Sequence, residues 1–115
     1  MGSRLDAFVH RLRPVRGEPE GALVFLHGRG TGEVDLFPLL DALDPERRLV
    51  GVTPRAPLEL SPGGFHWCVT RAVGYPDPPT FFSAYAALAT WLDALPQALG
   101  VPWSRTVLAV FRSAR

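Results

Sequence analysis

The sequence has 115 residues, 47% of them hydrophobic, and a formal net charge of +1, which indicates one globular domain and excludes an intrinsically disordered chain. Its eleven acidic and twelve basic residues are scattered, so it has neither the basic stripe of a nucleic-acid-binding protein nor an apolar run of membrane-spanning length. Cys68 is the only cysteine, which excludes a disulfide within the chain and predicts a reducing, cytoplasmic environment.

The first predicted elements are two strands. Residues 8–12 alternate weakly between apolar and polar side chains and predict an edge strand. Residues 22–26 form an unbroken apolar run between glycines, a pattern typical of a strand that is buried on both faces. A glycine-rich loop, residues 27–32, follows this strand directly.

A helix is predicted after the loop, because four leucines recur at helical spacing: Leu36, Leu39, Leu40 and Leu43. Asp35 is the expected N-cap, which places Pro38 in the first turn, where proline is tolerated. Asp44-Pro45 ends this helix. Residues 48–53 then predict a second short strand, halted by Pro54.

The second half of the chain predicts a long loop, a helix and a strand. Residues 57–79 are rich in proline and glycine and predict a loop, which at this length is usually either functional or wrongly assigned. The helix over residues 81–99 has Asp77 as its expected N-cap and Gly100 as its C-cap, with Pro78 at the first position and Pro96 expected to kink or shorten the last turn. Its predicted apolar face is formed by Phe81, Tyr85, Leu88, Leu92, Leu95 and Leu99. Residues 106–111 predict the last strand.

Strands that alternate with helices predict an α/β fold with a parallel sheet and crossover helices, in a single domain over residues 1–115. In such a sheet, ligands bind at the carboxyl ends of the strands. The loop of residues 27–32, the loop of residues 57–79 and the residues after Phe111 are therefore expected to meet at one edge.

The loop after the buried strand contains His27-Gly28-Arg29-Gly30. Glycines at such a position let the backbone turn sharply and present amide N–H groups, which can stabilise the oxyanion of a tetrahedral intermediate in acyl transfer. The alternative is an ordinary strand-to-helix loop, because short glycine motifs are common. The motif is not a dinucleotide fingerprint, since Glu33 stands where a third glycine is required, and it is not a P-loop.

A second candidate site lies in the long loop, where Gly63-Gly64 precedes Phe65-His66-Trp67. The two large aromatic side chains are suited to an apolar substrate pocket, and packing of Trp67 that merely pins the loop is the alternative. Cys68 is expected to be a small buried apolar residue rather than a nucleophile. The sequence predicts neither a metal site nor a cofactor.

Taken together, these stretches resemble the phospholipase/carboxylesterase family of serine α/β-hydrolases, which includes the acyl-protein thioesterases. The matching segments are LVFLHGRG at residues 23–30, PRAP at 54–57, GGFHW at 63–67, GVP at 100–102 and TVLA at 106–109. The resemblance implies a partial α/β-hydrolase fold that ends at the strand before the nucleophile elbow. It also implies an acyl ester or thioester substrate, an oxyanion hole at Gly28, Arg29 and Gly30, and a substrate pocket with Phe65 and Trp67.

The sequence departs from the family pattern at the elbow, where the family has G-F-S-Q-G. Arg112 stands where the nucleophilic serine is expected, neither elbow glycine is present, and no Asp or His follows Phe111. Ser113 is a candidate displaced nucleophile, but it lacks a base that would activate it. We therefore expect a truncated or frameshifted, inactive half of a hydrolase domain.

A non-catalytic function is the alternative from a different class. The same cleft would then bind a ligand without turning it over, or the open edge of the sheet would pair with another chain. Residues 106–110 are apolar and are expected to form an unpaired edge strand, which predicts self-association. Neither a nucleic-acid partner nor a membrane-spanning segment is expected.

Overall fold

A sheet of four strands forms the centre of the computed structural model, which describes residues 4–61, 63–72 and 75–111. In chain order the helices and strands are β1 (His10–Arg13), β2 (Gly21–Leu26), α1 (Glu33–Leu43), β3 (Leu49–Pro54), β4 (Leu58–Glu59), β5 (Phe65–His66), β6 (Thr70–Ala72), β7 (Tyr75–Pro76), α2 (Pro78–Leu99) and β8 (Thr106–Val110). The central sheet has the order β1-β3-β2-β8. The predicted α/β class is confirmed.

Strand β2 is the buried centre of this sheet. It pairs in parallel with β3 and with β8, so that Leu23 lies opposite Gly51 on one side and Val107 on the other. The predicted parallel arrangement of these strands is confirmed. Strand β1 is an edge strand as predicted, but it runs antiparallel to β3, so the sheet is mixed.

Alternate side chains of β2 pack against different helices, because successive residues of a strand point to opposite faces. Val24 and Leu26 lie in a cluster with Trp91 and Leu95 of α2. Leu23 and Phe25 lie in a second cluster with Leu36 and Leu40 of α1. The two helices therefore cover opposite faces of the sheet, which explains why the sequence of β2 is apolar throughout.

Helix α1 begins earlier than the sequence predicts. Its N-cap is Gly32, and the carboxylate of Asp35 accepts a hydrogen bond from the Gly32 N–H over 2.7 Å. The prediction that Asp35 is the N-cap is therefore wrong, and Pro38 lies beyond the first turn. Leu36 and Leu40 are buried, but Leu43 is exposed, so only part of the predicted leucine face reaches the core.

Leu40 packs directly on Gly51 of β3. A Cβ atom on Gly51 would lie 2.7 Å from the Leu40 Cδ2 atom, so a larger residue at this position would displace the buried Leu40 side chain.

Residues 57–79 are not the structureless loop that the sequence predicts. Strands β4 and β5 pair as one antiparallel hairpin, and β6 and β7 pair as another. Each of these strands has only two or three residues, which is too short to produce a recognisable alternation in the sequence.

Helix α2 has the predicted caps. The carboxylate of Asp77 accepts a hydrogen bond from the Thr80 N–H, Pro78 occupies the first position, and Gly100 ends the helix in the left-handed conformation. The helix continues past Pro96 to Leu99, so this proline does not shorten it.

The buried face of α2 differs from the predicted one in its first half. The fully packed side chains are Ala84, Trp91, Ala94 and Leu95, whereas Phe81 and Tyr85 are exposed. Trp91 also donates from its indole N–H to the Leu5 carbonyl oxygen over 2.9 Å, which fixes the start of the chain against the helix. Among the described residues, no helix is both long and apolar enough to cross a bilayer.

A buried ion pair joins the sheet edge to the end of α1. The guanidinium of Arg13 donates to the Asp44 carboxylate and, over 2.7 Å, to the Leu49 carbonyl oxygen. Burial raises the pKa of Asp44, but the N–H groups of Leu49 and Arg48 and the Arg13 guanidinium outweigh it and hold this pKa below its usual value. The carboxylate is therefore charged in the folded protein at neutral pH.

Candidate active site

The candidate site is a cleft at the carboxyl ends of β2 and β8. It has a volume of about 590 Å³ and is lined by Leu26, His27, Gly28, Arg29, Trp67, Leu88, Val110 and Phe111. The loop after β2 and the long loop therefore meet at the end of β8, and the residues after Phe111, which were also expected there, lie outside the described residues. Two adjacent parallel strands end here, which is where open α/β sheets bind ligands.

His27 holds the floor of the cleft together. Its side chain is buried, and its Nε2 atom accepts a hydrogen bond from the Ala56 N–H over 2.9 Å. Its Nδ1 atom lies 2.7 Å from the Gly28 carbonyl oxygen. This network assigns the proton to Nδ1, so the ring is neutral and has no free nitrogen to act as a general base.

Trp67 contributes both a wall of the cleft and a support for its floor. Its indole N–H donates to the His27 carbonyl oxygen over 2.9 Å. The indole also stacks on the His27 ring, with centroids 5.5 Å apart and planes inclined by 30°. Trp67 therefore lines the cleft and also ties the loop of residues 27–32 to the long loop, while its role in binding a substrate stays a prediction.

Phe65 acts mainly through its backbone. Its N–H donates to the Thr31 carbonyl oxygen over 2.9 Å, and its carbonyl oxygen accepts from the Gly30 N–H over 3.0 Å. Thr31 and Phe65 thus form an antiparallel β-bridge, which attaches the loop of residues 27–32 to strand β5 of the β4–β5 hairpin. Gly64 lies so close to Gly30 that an added Cβ atom would be 2.2 Å from the Gly30 carbonyl oxygen.

The ring of Phe65 faces away from the cleft. It lies against Gly32 and under the guanidinium of Arg55, whose central carbon is 4.4 Å from the ring centroid. Phe65 is not among the side chains that line the cleft. Its contact with Arg55 instead connects the β4–β5 hairpin to the ion pair of Arg55 and Glu33.

Arg55 and Glu33 form an ion pair behind the loop. The Arg55 Nε and Nη2 atoms donate to the two carboxylate oxygens of Glu33 over 2.9 and 2.7 Å. This side-chain hydrogen bonding lowers the pKa of Glu33, although burial acts in the opposite direction. The Thr53 hydroxyl donates to the Glu33 carbonyl oxygen over 3.0 Å, which ties the start of α1 to β3.

No protein-family model and no curated protein matches the sequence. Solved structures do match: the carboxylesterase from Mesorhizobium loti has 23% identity and a TM-score of 0.78, over 90% of this chain and 48% of that chain. Esterase PE8 has 23% identity and a TM-score of 0.77, over 90% and 52% of the two chains. The phospholipase/carboxylesterase from Dyadobacter fermentans has 23% identity and a TM-score of 0.62, over 90% and 47%. The chain therefore has the fold of about half of each of these proteins.

The predicted resemblance and the partial α/β-hydrolase fold are thereby confirmed at the level of the fold. The chain spans about half the length of these carboxylesterases. In this chain the HGRG loop follows β2 and lines the cleft beside the end of β8.

The three residues predicted to form an oxyanion hole have different positions in the loop. Gly28 and Arg29 line the cleft. The Gly28 carbonyl oxygen accepts hydrogen bonds from the Thr31 hydroxyl over 3.0 Å and from the Thr31 N–H over 3.4 Å, which closes a tight turn. The N–H of Gly30 already donates to Phe65, and the residue has a φ of 90°, so its role is in the turn.

The candidate nucleophile Ser113 lies outside the described residues, as does Arg112. Within residues 4–61, 63–72 and 75–111, no group of three His, Cys, Asp or Glu side chains is close enough to bind a metal ion.

The sequence analysis did not predict the pairing of Glu33 with Arg55. Both signals were visible: an acidic residue in the first turn of a helix and an arginine after the next strand. His66, which the sequence places between the two aromatic residues of the long loop, is buried with its Nδ1 atom unpartnered among the described residues. Burial lowers the pKa of His66, and the positive charge of Arg29 lowers it further.

Proposed function

We propose that this chain carries the oxyanion-loop half of a serine hydrolase of the phospholipase/carboxylesterase type, which acts on carboxylic esters or thioesters. The observation that supports this most is the position of the HGRG loop. It follows β2 and lines a cleft beside the end of β8, in a fold that matches about half of several carboxylesterases. An oxyanion hole requires amide donors at such a position.

In this proposal the amides of Gly28 and Arg29 stabilise the oxyanion that forms when the ester carbonyl is attacked. Trp67 forms one wall of the site and fixes the loop through the His27 carbonyl oxygen. Hydrolysis of an ester also requires a nucleophile, a general base and a general acid. Since the sequence has no Asp or His after Phe111, we propose that these 115 residues alone are inactive.

An assay with short p-nitrophenyl esters tests this proposal. The 115-residue chain is expected to hydrolyse them no faster than buffer, because an oxyanion loop without an activated nucleophile cannot form an acyl-enzyme. Turnover that is lost in Ser113→Ala but kept in the control Ser104→Ala would overturn the inactivity and make Ser113 the nucleophile.

Reading the coding DNA beyond codon 115 tests the family assignment separately. A serine elbow followed by Asp and His codons in any frame is expected. A protein extended through those codons should hydrolyse the same esters. If the DNA encodes no such residues in any frame, the hydrolase proposal fails and the binding alternative takes its place.

The alternative is a binding or interaction module, and one observation favours it. Strand β8 pairs with β2 on one side, and no described strand pairs with its other side. Val107, Leu108 and Val110 are exposed on it, so this edge is available to a second chain.

A cytoplasmic location stays a prediction, based on Cys68 as the single cysteine.

A further inference from the structure

A separate cavity lies at the carboxyl end of β3, beside the start of β1, and shares no lining residue with the cleft. It has a volume of about 300 Å³, and its lining includes Phe8, Val9, Arg55, Pro57, Glu59 and Phe65. We propose that this cavity binds a free amino acid with an apolar side chain, in its zwitterionic form. The site goes beyond the proposed function and does not depend on it.

One aromatic ring relates the two charged residues of the cavity. The guanidinium of Arg55 lies over the ring of Phe65, with its central carbon 4.4 Å from the ring centroid. Glu59 lies directly opposite Phe65 in the β4–β5 hairpin, and directly opposite residues of an antiparallel pair carry their side chains on the same face. Arg55 and Glu59 are therefore both neighbours of Phe65, and a positive and a negative group border the same cavity.

Arg55 is fixed in position but keeps hydrogen-bond donors for a ligand. Its Nε and Nη2 atoms donate to Glu33, and its backbone N–H donates to the Val9 carbonyl oxygen over 2.6 Å. A guanidinium has five N–H donors, and the Nη1 atom has no partner among the described residues. Since the side chain is 35% exposed, these donors are available to the carboxylate of a ligand.

Glu59 supplies the group that binds an ammonium ion. Its side chain is exposed and accepts no hydrogen bond from the described residues. The hydrogen bonds to Glu33 raise the pKa of Arg55, and the charge of Glu59 acts in the same direction, which shows that Glu59 is within electrostatic range. Because Glu33 already neutralises Arg55, Glu59 disfavours a ligand whose only charge is negative. A zwitterion satisfies both Arg55 and Glu59.

Apolar side chains form the remainder of the lining that the argument uses. Phe8 is buried, whereas Val9 is 55% exposed, so the two line the inner and the outer part of the cavity. The volume equals that of about ten water molecules at about 30 Å³ each, so an amino acid of the size of leucine fits. Its side chain would remove part of the apolar surface of Val9 from water.

Calorimetric titration of the 115-residue chain at about pH 6.5, where an α-amino group is charged, tests the site with four probes. L-leucine is expected to bind with a dissociation constant of about 1 mM. Leucinamide lacks the carboxylate, N-acetyl-leucine lacks the ammonium group and glycine lacks the side chain, so each is expected to bind about tenfold more weakly or less. Leucine that binds no more tightly than either blocked derivative, or does not bind, would overturn the proposal.

Two pairs of variants locate the binding. Glu59→Gln is expected to weaken leucine binding about tenfold and to remove the preference for leucine over N-acetyl-leucine, whereas Glu18→Gln, at an exposed residue outside the cavity, leaves both unchanged. Val9→Ser is expected to weaken leucine binding about threefold. Val34→Ser is its control, because Val34 is 52% exposed and does not line the cavity.

The substituted residues are exposed, so the variants are expected to fold, which circular dichroism checks. If Glu59→Gln does not fold, the pair at positions 9 and 34 decides, and equal leucine binding in these two variants would place the ligand elsewhere. Strand β1 lies at the opposite edge of the sheet from β8, so association through β8 leaves the cavity open. None of these measurements involves ester hydrolysis, and a failure of the proposed function is therefore distinguishable from a failure of this site.

Discussion

The indole N–H of Trp67 donates to the carbonyl oxygen of His27 over 2.9 Å, while the two rings stack with centroids 5.5 Å apart. His27 follows β2 and Trp67 follows β5, so the contact links the glycine loop to the β4–β5 hairpin. Trp67 therefore forms a wall of the cleft and also holds the backbone of the cleft in position.

Trp67→Phe is expected to lower the free energy of unfolding by about 1 kcal/mol, because the phenyl ring keeps most of the stacking but cannot donate to the His27 carbonyl oxygen. Urea unfolding followed by circular dichroism measures this. Trp103→Phe, at an exposed indole, is the control and should change stability by less than about 0.5 kcal/mol. Equal effects of the two substitutions would contradict the role of the hydrogen bond.

Asp44→Ala is expected to lower the free energy of unfolding by about 3–5 kcal/mol, because it leaves the buried guanidinium of Arg13 without its main counter-charge. Asp41→Ala is the matched control, since Asp41 also contacts Arg13 but its side chain is 55% exposed. The control should cost less than about 1 kcal/mol. Similar losses in both variants would show that burial does not distinguish the two carboxylates.

The ion pair of Glu33 and Arg55 is expected to make the fold sensitive to acid. The pKa of Glu33 in the folded state lies below its ordinary value of 4.5, mainly because of the hydrogen bonds from Arg55. Its contribution to stability is therefore complete above that value and is lost as the pH falls through the folded-state pKa. Glu33→Gln should be less stable than the parent chain by about 1.5–3 kcal/mol at neutral pH.

Urea unfolding of both proteins from neutral pH down to about pH 3 checks this prediction. The difference between the parent chain and Glu33→Gln should narrow below pH 4.5. Titration of other carboxylates, Asp44 among them, is common to both proteins and cancels in the difference. A difference that stays constant with pH would exclude Glu33 as the source of the acid sensitivity.

Strand β8 is expected to mediate self-association, because its outer edge is unpaired among the described residues and its apolar side chains are exposed. The apparent mass in size-exclusion chromatography should therefore rise with protein concentration. Val107→Lys should reduce this rise, since a charge on an edge strand opposes pairing. Val9→Lys is the control, because both valines are 55% exposed; if it has the same effect, β8 is not the contact.

The parts of the fold that could be predicted are those whose signal is local. The apolar run of β2 and the caps of α2 at Asp77 and Gly100 each depend on a few neighbouring residues. The buried face of α2 could not be predicted in its first half, because small Ala84 packs inward while the larger Phe81 and Tyr85 remain exposed. A hydrophobic pattern weights large side chains and therefore selects the wrong face there.

For the candidate site, the sequence predicted that the HGRG loop and Trp67 lie together at the carboxyl end of the sheet. The sequence could not show that the Phe65 side chain lies outside the cleft. Strand β5 ends at His66, so the alternation of side chains along a strand does not extend to Trp67 and cannot relate the two rings. The pairing of Glu33 with Arg55 was also beyond prediction, since it depends on the way α1 and β3 pack together.

The backbone contact between Gly30 and Gly64 involves neither of the side chains that give the cleft its charge and its aromatic wall. Both glycines have a positive φ, and a side chain on Gly64 would collide with the Gly30 carbonyl group, so almost any replacement of either glycine disturbs the loop. The charge of the cleft is carried by Arg29, one residue before Gly30, whose side chain is exposed. The shape of the cleft and its charge therefore depend on different residues.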